Sequence, residues 1–188
     1  LWELKAPYRQ LRLSRIKRWP HQIGLILLNT LAIRLFFPVA AIQTAEYMQQ
    51  HNWGLINWLE LPPVIAIITG FIILDFAIYW QHVFAHRLNW FWKLHRTHHA
   101  DTDYDLTTGL RFHPLEIILS MLIKMLVVVL LGIPPIAVLL FEIVLSGSAM
   151  FNHSNIRLAD NFEFTLRKLI VTPGMHRIHH SIQQFEHD

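Results

Sequence analysis

Residues 115–150 read LEIILSMLIKMLVVVLLGIPPIAVLLFEIVLSGSAM. Two apolar runs, Leu115–Leu131 and Pro134–Met150, flank the break GIPP. A helix crossing the hydrocarbon core of a bilayer takes roughly 20 residues at about 1.5 Å of rise each, and both runs approach that length. Glycine followed by two prolines interrupts any helix running through it, so the stretch predicts a tight hairpin of two membrane-spanning helices. Outward from it, similar runs occupy Ile23–Tyr47 and Pro63–Val83. Of the 188 residues, 53% are apolar and only 15% charged, with a mean hydropathy of +0.34. A soluble domain carries about a quarter charged residues. The predicted fold is therefore all-α: an integral-membrane bundle of about four helices, one domain over residues 1–188.

The cations orient that bundle. Lys5, Arg9, Arg12, Arg15, Lys17 and Arg18 precede the first run, while no Lys or Arg occurs between Arg34 and Arg87 or between Lys124 and Arg157. The positive-inside rule then places the N-terminus, residues 87–113 and the C-terminal segment on the cytoplasmic side. Residues 1–22 read as a basic strip at the lipid interface. Arg34 and Lys124 lie inside spans, where each costs roughly 2.5–3.5 kcal/mol at mid-bilayer, and Lys124 is expected to snorkel. The sequence begins at Leu1 and ends eight residues after His180, so both ends read as trimmed, and no cleavable signal peptide is visible. Without cysteine the chain carries no disulfide, thiolate zinc site or iron–sulfur cluster.

The histidines are not scattered. HxxHH occurs twice, as His95, His98 and His99 in WKLHRTHHAD and as His176, His179 and His180 in GMHRIHHS; His82 and His86 form HxxxH in WQHVFAH. Residues i and i+4 project from one helical face, a sound pair of ligands for one metal. Adjacent histidines diverge by about 100°, so each HxxHH can serve two neighbouring metals. Eight neutral imidazoles suit iron, zinc, copper or nickel and do not choose among them. No Glu follows His82, so the zinc-peptidase pattern HExxH is missing. All three clusters fall on the side given by the cations. Neutral ligands leave metal charge uncompensated, and carboxylates holding ring N–H groups are expected nearby. Asp75 is the candidate inside a span, because 75, 79, 82 and 86 share one helical face; Asp101, Asp103, Asp105 and Glu116 surround the second cluster. His113 in GLRFHPLE and His153 in MFNHSN sit at helix ends level with the clusters. Trp80, Trp90 and Trp92 read as interfacial anchors.

Taken in order, LDFAIYWQHVFAH, FWKLHRTHH, TTGLRFHPLE, FNHSN and TPGMHRIHHS resemble the fatty acid hydroxylase superfamily, in the branch of sterol desaturases and sterol methyl oxidases. The resemblance covers roughly residues 70–182 and is strongest to the short bacterial members. It implies a membrane-bound non-haem oxygenase whose cytosolic histidine-rich cap holds two iron ions, with zinc possible in isolated protein. The ligands it implies are His82, His86, His95, His98, His99, His176, His179 and His180, completed by His153 and His113, with Asp75 behind them. One position departs from the pattern: acyl hydroxylases of the superfamily often have a histidine four residues before the one in HS, and here that position is Ala149, so either His113 stands in for it or one metal is less fully ligated. The implied reaction uses dioxygen (O2) and external electrons to hydroxylate a C–H bond of an acyl or sterol-like lipid drawn from the bilayer. A desaturase uses the same constellation, and a non-catalytic metal-binding membrane protein is the alternative from another class. Electrons would come from a separate reductase system through a cytochrome b5- or ferredoxin-type donor. The expected location is a bacterial inner membrane, with no nucleic-acid partner.

Overall fold

The computed structural model describes residues 2–37 and 39–181, and among them it is helical, with a single isolated β-bridge between Pro7 and Ile156. A short α1 (Trp2–Lys5) leads to α2 (Arg15–Phe36), α3 (Ala41–Gln50), α4 (Leu55–Trp58) and α5 (Pro63–Arg87). Then come α6 (Asn89–His99), a 3-10 turn (Leu106–Leu110), α7 (Pro114–Leu131), α8 (Pro135–Asn152), α9 (Asp160–Leu166) and α10 (Pro173–His179). Four helical stretches are long and apolar enough to cross a membrane, as the hydropathy predicts: α5, α7, α8 and the stretch containing α2 and α3. The chain is an integral membrane protein.

The hairpin forms where its sequence dictates. Pro114 starts α7 and Pro135 starts α8, each at a first-turn position where a missing N–H costs nothing. Gly132 ends α7 in the left-handed conformation, φ +64°. A side chain there would also strike the Trp53 carbonyl, so this glycine lets the α3–α4 connection close against the hairpin.

Within the bundle, small residues permit close approach. Ala66, Gly70 and Leu74 line the buried face of α5, and a Cβ on Gly70 would stand 2.8 Å from Ile133 and 3.3 Å from Ala137. Ile65, Ile68, Ile72, Phe76 and Tyr79 form the opposite, exposed stripe, which suits contact with lipid tails.

Two expectations about the spans need correction. The first run is not one helix: α2 ends at Phe36 and α3 begins at Ala41, and the intervening sequence contains a proline, a residue without the N–H that a continuous helix needs. Asn29 Nδ2 donates to the Phe112 carbonyl (3.1 Å), so α2 as far as Asn29 stands beside the cap and the start of α7. Lys124 does not snorkel. It is buried, and its Nζ donates to Glu142 Oε1 of α8 (2.5 Å), a pairing available because the hairpin brings the two positions level.

The cap gathers at the end of the bundle where α5 and α8 finish and α7 starts. The N-terminal strip is built into it as well as basic. Glu3 Oε1 accepts from the backbone N–H groups of Leu106 (3.0 Å) and Asn155 (2.6 Å). Asp103 accepts from Arg12 and Leu13 N–H at 2.9 and 2.8 Å. Arg18 is buried between Asp101 (2.7 Å) and Asp105 (2.8 Å).

Candidate metal centre

Local structure explains how distant histidines meet. His82 and His86 lie in the last turns of α5, one turn apart as HxxxH requires, with ring centroids 4.9 Å apart. His95, His98 and His99 occupy α6, which folds back against α5 at Leu88. His153 is the residue at which α8 ends, and α10 carries His176 and His179 with His180 at its end. Thr172 caps α10, accepting from Met175 N–H (3.4 Å), and Pro173 opens its first turn.

These nine histidines form one body. Ligand nitrogens of His98, His153, His176 and His180 lie within 4.8 Å of one another; so do those of His82, His86 and His179, and those of His86, His95 and His99. His99 stacks on His180, centroids 4.2 Å apart and planes at 14°, and joins the first set to the others.

The distances and proton positions test whether a cation fits. His153 Nε2 is 3.0 Å from His98 Nε2, 3.0 Å from His176 Nε2 and 3.1 Å from His180 Nε2, and His82 Nε2 is 2.9 Å from His179 Nε2. Imidazole nitrogens about 2.1 Å from one metal and at right angles stand about 3.0 Å apart. The opposite ring edges fix where protons sit. His153 Nδ1 donates to the Ala149 carbonyl (2.6 Å) and His98 Nδ1 to the Arg111 carbonyl (3.3 Å). A carbonyl can only accept, so in each neutral ring Nδ1 carries the hydrogen and Nε2 presents a lone pair. His98 and His153 thus point lone pairs at each other across 3.0 Å, an arrangement that repels unless a positive charge is shared. His95 repeats the logic: Nδ1 donates to Glu116 Oε1 (2.6 Å), and its buried Nε2 has no hydrogen-bond partner among the described residues. The donor set fits metal ions.

Electrostatics prepare the rings for that role. Burial first, then the neighbouring imidazoles, holds His98, His99, His176 and His180 well below the ordinary histidine pKa. Burial lowers His153 to about 4, against the opposing hydrogen bond to Ala149. These rings are neutral at physiological pH, the form that binds metal. Flat apolar rings close the site: Phe112 stacks on His98 (4.5 Å, 5°), and Trp92 lies 5.3 Å from His86 and 5.4 Å from His99. Trp92 is therefore built into the site, whereas Trp90 is exposed.

Two sequence candidates are not brought in. Asp75 is exposed on α5 and makes no hydrogen bond or ion pair among the described residues; the carboxylate on a ring is Glu116, from the first turn of α7. Asp75 shares the helical face of His82 and His86 but lies seven residues before His82, about 10 Å down the helix axis, where that face is exposed. His113 caps α7 instead, its Nδ1 accepting from Leu115 N–H (3.2 Å), and does not replace the histidine missing at Ala149. Tyr104 is a residue the motifs did not reveal: it stacks near His153 (5.5 Å) while its hydroxyl donates to the Asn152 carbonyl (2.9 Å). A lone aromatic among capping acids, in DTDYDL, was the available signal.

The fatty acid hydroxylase family pattern matches residues 67–187. Human alkylglycerol monooxygenase is 30% identical over 158 residues, covering 80% of this chain and 32% of that protein. The ornithine lipid hydroxylase OlsE of Rhizobium tropici is 27% identical over 154 residues, 80% of this chain and 44% of that protein. The Delta(7)-sterol-C5(6)-desaturase of Nicotiana tabacum is 33% identical over 87 residues, 40% of this chain and 31% of that protein. The chain thus spans less than half the length of each of these relatives. No solved structure matches it. With the family pattern over residues 67–187 and the histidine body assembled from the same stretch, this chain belongs to the fatty acid hydroxylase family.

Proposed function

We propose that this chain is the metal-bearing unit of a membrane lipid hydroxylase. In this reading His98, His153, His176 and His180 hold one iron ion, and His82, His86, His95, His99 and His179 hold the other. The observation that carries it is the meeting of Nε2 lone pairs at 3.0 Å between rings whose outer nitrogens are already committed. Its relatives by name are a lipid monooxygenase, a lipid hydroxylase and a sterol desaturase, which supports oxidation of a lipid C–H bond. Iron bound there would supply dioxygen activation, with electrons from a separate cytochrome b5- or ferredoxin-type protein.

The chain's own residues do the rest. Burial of His95, His98 and His153, each 3% exposed or less, keeps water from the rings. Glu116 supplies a negative charge on the outer edge of His95, where it makes that imidazole a stronger donor. Phe76, Trp80 and Phe84 touch in sequence along α5, with centroids 6.1 and 5.7 Å apart, and form an exposed aromatic stripe on the bundle surface. By the cation pattern, the cap faces the cytoplasm.

The test compares lipids of cells making the full-length protein with those of cells making its His98→Ala variant, in a host that supplies iron and a reductase. A lipid gaining one oxygen only with the intact protein is the expected result. A lipid losing two hydrogens instead would transfer the reading to a desaturase on the same site. Identical lipids from both, with both metals bound in the intact protein, would favour a non-catalytic metal-binding role.

A further inference from the structure

A cavity of about 1240 Å³ opens beside the histidines, with His99 and His180 in its wall. Its lining is unlike that of an ordinary ligand pocket, which is mostly apolar. Arg9, Arg12, Arg157, Arg167 and Arg177 all face it. Four of them, Arg9, Arg12, Arg157 and Arg167, are exposed and have no carboxylate partner among the described residues. Arg177 is positioned differently. Its guanidinium lies over Tyr8, 3.7 Å from the ring centre, with one N–H group donating to the Ile156 carbonyl and a buried Nε that has no hydrogen-bond partner among the described residues.

The arginines are held, not trailing. Asn155 clamps Arg9 on both backbone groups, donating to its carbonyl (2.8 Å) and accepting from its N–H (3.1 Å). The Arg12 N–H is fixed on Asp103 (2.9 Å). Three carboxylates share the wall, but Asp101 is already engaged by Arg18 (2.7 Å) and Gln22 (2.7 Å), and Glu163 by the Thr172 hydroxyl (2.8 Å). Positive charge is left in excess inside a concave wall, where the field is concentrated. A guanidinium presents paired donors that match phosphate or carboxylate oxygens. The concavity favours a compact anionic group over the flat face of an acidic protein.

We infer that this cavity is a headgroup subsite, and that the lipid it takes carries an anionic group, a phosphate or carboxylate, seated on the arginines while the adjoining chain passes His99 and His180. This rests on the lipid-oxidation reading and narrows it to anionic lipids.

The experiment titrates full-length, metal-loaded protein in neutral detergent with dihexanoyl phosphatidic acid, with the phosphate-free dihexanoyl glycerol and with inorganic phosphate, following tryptophan fluorescence. The same titrations use the Arg157→Gln/Arg167→Gln protein, whose altered side chains are exposed; the single variants serve if the pair disturbs folding. Phosphatidic acid should bind about tenfold tighter than dihexanoyl glycerol, and the double variant should lose that preference while keeping its affinity for dihexanoyl glycerol. Equal binding of the two lipids, or a preference that survives the double variant, would overturn the subsite. Inorganic phosphate displacing phosphatidic acid at equal concentration would assign the cavity to free phosphate and overturn the lipid headgroup. Binding is read without turnover, so an intact preference with no oxidised lipid would sink only the enzymatic reading. Oxidised lipid without the preference would sink only this inference.

Discussion

In the spanning part of the molecule, α5, α7 and α8 bury Leu74, Val128, Ala137 and Phe141, with one ion pair among them. In the cap the buried residues include Phe91, Tyr104, Ile156 and Leu158, but also Glu3, Arg18, Asp103, Asp105, Glu116, Asn155 and the histidines His95, His98 and His153. The two regions solve opposite problems. In the bundle the surrounding lipid is itself apolar, so shape and small residues matter and no particular polar contact is required. The cap has a largely polar interior, and its buried carboxylates and guanidinium depend on named partners. Losses should therefore be large and specific in the cap, and small in the bundle.

The largest expected effect is at Arg18, which joins α2 to the loop bearing Asp101 and Asp105. Both carboxylates are nearly inaccessible, with side chains 4% and 0% exposed. Arg18→Met leaves them buried without their guanidinium, a loss of about 3 kcal/mol or more. A drop of roughly 6–10 °C in the unfolding midpoint should follow at neutral pH. The pH dependence gives the sign. Burial alone would raise the Asp105 carboxyl, but the Thr107 hydroxyl and Arg18 outweigh it and hold the group below the usual carboxylate range. Its contribution is present above the unfolded value of about 4 and is lost as the pH falls through the folded one. The gap between wild type and variant should narrow on acidification, as thermal melts from neutral to acid pH would reveal. A constant gap would mean that Arg18 acts through packing alone.

A smaller effect, confined to one metal position, is expected at Glu116. The four-histidine set rests its outer nitrogens on backbone carbonyls at His98 and His153, whereas His95 in the other set rests on a carboxylate. Glu116→Gln keeps an acceptor for the ring and removes the charge. Metal affinity should fall about 10- to 100-fold at one position and stay unchanged at the other. Competition with a chelator, followed as metal retained per chain, separates the cases; equal weakening at both positions would show that Glu116 merely holds the fold.

How much of this was legible in the sequence follows the same division. The hairpin, α5 and the apolar stripes could be read from hydropathy, because a membrane segment is defined by what it lacks. HxxHH and HxxxH were legible because helical periodicity converts spacing into direction. The contacts joining Glu3 to Asn155 and Arg18 to Asp105 were not, since each closes a long loop that no local pattern encodes. Asp75 and His113 show the limit of periodicity: a residue can have the right height or helical face for a ring and still turn outward or cap its own helix.

The bundle's one ion pair puts the comparison to its last and mildest test. Lys124 is buried, while the Glu142 side chain is 33% exposed, so the pair lies at the edge of the packed interior. A buried pair replaced by apolar groups of similar volume is often neutral or stabilising, while removal of one partner leaves a charge without compensation. Lys124→Met with Glu142→Leu should therefore leave the unfolding midpoint within a few degrees of wild type, by roughly 1 kcal/mol or less. Lys124→Met alone should cost more than the double change, because Glu142 then faces hydrocarbon without its partner. Thermal melts in one detergent give that order directly. If the double variant keeps its stability and loses lipid oxidation, the pair belongs to the path of substrate or protons. The contrast between a permissive bundle and an exacting cap would then have to be redrawn at α7.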